Sequence, residues 1–74
     1  MEEFIKNFAN QWDETDAEVF TPDCMFHDLE EWSSLVGLAI LNMILKKYGV
    51  KVAPAELRAA ITIEDVYNLV QSKL

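Results

Sequence analysis

The chain has 74 residues, with 13 acids against 6 bases (net charge −7) and one cysteine. That length fits a single domain, residues 1–74, and the lone Cys24 excludes a disulfide scaffold and fits a reducing compartment. Residues 1–34 hold ten acids and one base, whereas residues 35–74 hold three acids and five bases. Nucleic acid is therefore excluded as a partner, and basic protein patches fit such a surface.

Phe4, Ile5, Phe8, Ala9 and Trp12 recur at helical spacing, which predicts an amphipathic helix over residues 2–13, with Glu2 and Glu3 in its first turn. Residues 14–32 have no sustained period and carry the turn and breaker residues Thr15, Asp16, Thr21, Pro22 and Asp23. A loop of that length in a small domain tends to be functional. Its apolar members Val19, Phe20, Met25, Phe26, Leu29 and Trp32 are expected to pin it to the core, with a short helical turn inside 23–30.

The next helix is predicted at 34–48. Between Leu35 and Leu45 only Gly37 and Asn42 are not apolar. Leu38, Leu41, Leu45 and Tyr48 share one stripe, with Ile40 and Ile44 beside it, so the helix is either wetted on a narrow strip or docks something. Lys46, Lys47 and Gly49 suit its C-terminal end. Val50-Lys51-Val52 reads as an extended linker, and Pro54 opens a short helix running through Ala60. Thr62 and Asp65 form a capping pair for a last helix carrying Ile63, Val66, Tyr67, Val70 and Leu74. The expected fold is all-α: a small bundle of three longer helices and one short one, with a long loop between the first and second.

No catalytic constellation emerges. Ser33 and Ser34 lack a nucleophile elbow, His27 has no evident nucleophile, and Cys24 reads as a half-buried packing residue. No metal set is present, since Cys24 and His27 have no second Cys or His to join them. The N-terminus lacks the basic and apolar regions of a signal peptide. The run at 35–45 is too short to span a bilayer, which takes about 20 residues. The reading is a soluble, cytoplasmic, non-enzymatic protein, monomeric by default.

The order helix, long loop, Ser-Leu at a helix start, short third helix and capped fourth helix resembles the acyl carrier proteins and related phosphopantetheine-binding carrier domains. The local match runs from Phe26-x-x-Leu29 through Trp32-Ser33-Ser34-Leu35 to Lys47-Tyr48-Gly49-Val50, with Thr62-Ile63-Glu64-Asp65-Val66 matching the start of the last helix. The resemblance implies a covalent 4′-phosphopantetheine arm on the serine that precedes the leucine, here Ser34, with Ser33 as the other candidate hydroxyl. It also implies a phosphopantetheinyl transferase, an acyl- or aminoacyl-loading ligase and downstream biosynthetic enzymes as partners.

This chain departs from the family pattern at two points. Ser33 stands where many acyl carriers have aspartate, which makes an aminoacyl or peptidyl carrier the alternative to the leading expectation, an acyl intermediate held as a thioester on that arm. The second helix lacks the usual acids, so docking is expected through Leu35, Val36, Ala39 and Leu45, with a charged rim from Glu30 and Glu31. Aliphatic cargo is expected to slip between helices near Phe8, Leu38, Ile44 or Tyr67. An unmodified helical interaction module is the alternative of a different class.

Overall fold

Four α-helices and two 3-10 turns, with no strand, make up the computed structural model, which describes residues 1–74. The helices are α1 (Glu2–Ala9), α2 (Ser34–Tyr48), α3 (Pro54–Ala59) and α4 (Ile63–Lys73). Together they form a small helical bundle of about 29 × 24 × 20 Å. The core is apolar throughout. Phe4 and Phe8 of α1, Ile40 and Ile44 of α2, and Ile63, Val66 and Val70 of α4 are its most deeply buried members, joined by Phe26 from the long loop. Each such side chain contributes about 1.5–3 kcal/mol by leaving water.

The first helix is shorter than its apolar spacing predicts. It stops at Ala9, and Gln11 and Trp12 donate to the carbonyls of Phe8 and Ala9 in a tighter three-residue pattern. The Gln11 side chain takes the Asn7 carbonyl at 3.0 Å, the acceptor a continuing helix would offer the Gln11 N–H, and the next donors are drawn across the molecule. The backbone N–H groups of Asp13, Glu14 and Thr15 donate to the Glu31 carboxylate at 2.6, 3.0 and 2.9 Å. A continuing helix would have needed those donors for the carbonyls four residues back. The apolar period persists to Trp12 because its indole still packs into the core.

The segment between α1 and α2 carries two 3-10 turns, Ala17–Val19 and Phe26–Asp28, the second inside the window expected for a helical turn. It is fastened at three further points. Phe20, Phe26 and Trp32 lie among Phe8 and Trp12 with ring centroids 5.2–6.2 Å apart, whereas Val19 and Met25, expected to share that role, are exposed because their buried neighbours Phe20 and Phe26 take the inward direction. The carbonyls of Pro22 and Cys24 accept from Glu64 and Ile63, the first N–H groups of α4. His27 Nε2 lies 3.2 Å from the Leu57 carbonyl near the end of α3. A carbonyl only accepts, so Nε2 is the donor in that contact.

The remaining helix ends follow the chain's own signals. Gly49 closes α2 in the left-handed region (φ 67°), where a side chain would be strained. Glu56 reaches back to the Ala53 N–H at 3.0 Å ahead of α3. Thr62 and Asp65 exchange side-chain-to-backbone bonds at 3.1 and 3.2 Å in a capping box that opens α4. Val50 and Val52 are buried while Lys51 between them is exposed, so the expected linker is an extended strip laid over the core.

Candidate functional site

The two adjacent serines at the head of α2 have separate roles. Ser33 is the N-cap, with extended backbone (φ −158°, ψ 171°), and its Oγ accepts from the Val36 N–H at 3.3 Å. Ser34 is the first helical residue. It is exposed, and its hydroxyl takes part in no hydrogen bond. The backbone N–H groups of Ser34 and Leu35 have no protein acceptor either, as expected for the first turn of a helix. A free hydroxyl therefore stands beside two free donors at the positive end of a 15-residue helix, a setting that favours an anionic substituent on that oxygen.

Beside Ser34 runs a groove of about 160 Å³ between α2 and α3. Leu38 and Leu41 line one wall, and Pro54, Leu57 and Arg58 the other. Gly37 forms part of its floor because Trp32 lies behind it: a Cβ at Gly37 would stand 3.2 Å from Trp32 Cη2. The Trp32 ring is itself held by Phe26, His27 and Trp12. Of the side chains expected near cargo, only Leu38 lines the groove. Phe8 and Ile44 are fully buried, and Tyr67 packs against Phe4 on the core side.

The outer face of α2 is apolar. Leu35, Leu38 and Leu45 are 78%, 59% and 50% exposed, with exposed Asn42 among them. The stripe that includes Leu38 and Leu45 is therefore the solvent face, and Gly37, Ile40, Met43 and Ile44 face the core. Val36 and Ala39 are half-buried, Val36 against the core cluster, so they offer less surface than the three leucines. Glu30 is exposed at the rim. Glu31 is tied inward: besides its three backbone donors it accepts from Thr15 Oγ1 at 2.7 Å. The Thr15 hydroxyl bond, followed by the backbone N–H groups of residues 13–15, holds its carboxyl below the usual glutamate range.

The remaining reactive side chains are occupied with structure. His27 stacks on Phe26 and meets Trp32 edge-on while it binds the Leu57 carbonyl. Burial pushes the Cys24 thiol up, away from the thiolate form. Arg58 was not singled out in the sequence. The available signal is that it is the chain's only arginine and has no acid at 54, 55, 61 or 62, the positions that would pair with it along a helix.

A curated relative, polyketide-8 synthase acyl carrier protein 2 of Streptomyces avermitilis, is 40% identical over 58 residues. The matched region covers 78% of this chain and 66% of that protein, just under two thirds of its length. No family model matches the chain, and no solved structure matches it. No helix is long and apolar enough to cross a membrane.

Proposed function

We infer that this acyl-carrier-protein-like chain is a carrier rather than an enzyme, holding a biosynthetic intermediate through a 4′-phosphopantetheine arm on Ser34. The pathway class is polyketide or a related acyl assembly, in keeping with the name of its relative. The observation that carries the reading is the division between the serines: Ser33 is spent on the helix cap, and Ser34 is exposed with nothing bound to its oxygen. The site fits the group. A phosphodiester on Ser34 Oγ would find the unpaired N–H groups of Ser34 and Leu35 at a helix start.

The arm, when attached, supplies a thiol that carries the acyl group as a thioester. The chain's own residues hold and present it. Ser34 anchors the arm, and the Ser33 cap keeps the first turn of α2 formed. Trp32 against Gly37 fixes the preceding loop, so the anchor projects from a rigid base. Tethering then brings cargo to successive active sites without tight binding at each. Partner enzymes dock on the exposed Leu35, Leu38 and Leu45, with Glu30 at the rim meeting basic residues. Apolar burial of about 25 cal/mol per Å² makes such a patch an adequate transient interface.

Incubation with a broad-specificity phosphopantetheinyl transferase, read by intact mass, tests the reading. The parent protein gains one arm and Ser34→Ala gains none. A parent mass that stays unchanged contradicts the reading and leaves an unmodified interaction module.

A further inference from the structure

Arg58 is exposed on α3, makes no ion pair and no side-chain hydrogen bond, and lines the same groove as Ser34. No acid lines that groove. The acid nearest to it in sequence, Glu56, is engaged by Lys73 at 3.2 Å and by the Ala53 N–H. Five of the six bases make no ion pair, and of those five only Arg58 lines the groove that also holds Ser34. Its planar fork of donors matches a phosphate or carboxylate better than an ammonium does.

We propose that Arg58 is the anion receptor of the α2–α3 groove, taking the phosphodiester oxygens of the arm on Ser34 and so laying the start of the arm along that groove. The inference rests on the carrier reading and adds a positioning residue to it. The phosphodiester is the favoured anion because it is fixed to Ser34, a residue of the same small groove, and is present whatever the cargo. Tethering raises its effective concentration at Arg58, so a pair that would be weak between free partners becomes populated. The cation is exposed, so the contact weakens with added salt. The groove's apolar walls, Leu38, Leu41 and Leu57, then shelter the atoms that follow the phosphate.

The test compares NMR spectra of the unmodified protein and of protein whose intact mass shows the arm attached without cargo. Arg58 Nε–H and the methyl groups of Leu38 and Leu57 shift on loading, and the shifts shrink as salt is raised. In Arg58→Gln the methyl shifts shrink, because a neutral amide holds an anion less strongly than a guanidinium does. Arg58→Lys keeps an intermediate share. A protein that carries the arm by mass, yet shows the same Arg58 and methyl resonances as the unmodified form, overturns the proposal and leaves the carrier reading standing. Shifts that appear only when the arm bears a carboxylated acyl group, and not with an acetyl group or the bare arm, also overturn it, because the receptor would then read cargo. A protein that cannot be loaded at all sinks the carrier reading and this proposal together.

Discussion

The two faces of α2 are built from the same residue types and have opposite fates. Ile40 and Ile44 are wholly buried, while Leu35 and Leu38, a turn or so away, are more than half exposed. The inner face meets a wall of aromatic rings from α1 and the long loop. The outer face meets nothing in this chain. Composition alone predicts a helix buried nearly all round, and only the partners available in the fold decide which stripe stays wet. The inner face maintains the structure, and the outer face with Ser34 at its head is free for function.

Alanine at the inner face or in the core around it breaks the comparison most severely. Phe8→Ala, Phe26→Ala or Ile44→Ala should each lower stability by about 2–5 kcal/mol, from lost burial plus the cavity left behind. A domain this small has about 5–15 kcal/mol in hand at most, so urea melts will show a large drop in midpoint. Ser33→Ala comes next. It removes the cap of α2 and should cost about 1 kcal/mol, while Ser34→Ala, with no bond to lose, should melt like the parent.

The Glu31 tie sharpens the contrast through pH. Its carboxyl lies below the ordinary range because of the Thr15 hydroxyl and the backbone donors of residues 13–15, and those of Glu56 and Asp65 are lowered by their own capping bonds. A depressed folded-state pKa contributes stability above the ordinary carboxylate range, and that contribution is lost as pH falls through the lowered value. Urea midpoints should therefore drop with acidification through and below that range. In Glu31→Gln the drop should be shallower and the neutral-pH midpoint lower, because an amide cannot present two acceptor oxygens to those donors. The smallest effect belongs to the outer face: Leu35→Ala and Leu38→Ala should change stability by no more than about 0.5 kcal/mol, yet weaken transfer of the arm or of cargo by partner enzymes.

Much of this was legible in the residues themselves. Pro54, Gly49 and the Thr62–Asp65 pair marked helix ends because each acts through its immediate neighbours. The boundary of α1 was not legible, since the donors that a longer helix would need, from Asp13 on, are taken by Glu31, eighteen residues beyond Asp13 in sequence. The orientation of α2 escaped for a similar reason. Leu38 and Ile40 are equally apolar, and periodicity cannot rank two faces that both look like core. The Ser-Leu step drew attention to the site, but the separate roles of Ser33 and Ser34 needed hydrogen-bond geometry. Arg58 became meaningful only when α3 packed beside α2.

The central claim is that Ser34, and not Ser33, carries the arm. Tandem mass spectrometry of the peptide spanning both serines, taken from transferase-treated protein, tests it directly. The account predicts the added mass on residue 34 alone, unchanged in position when Ser33 is replaced by alanine. An arm found on residue 33, or transferred there as readily as to 34, would contradict it.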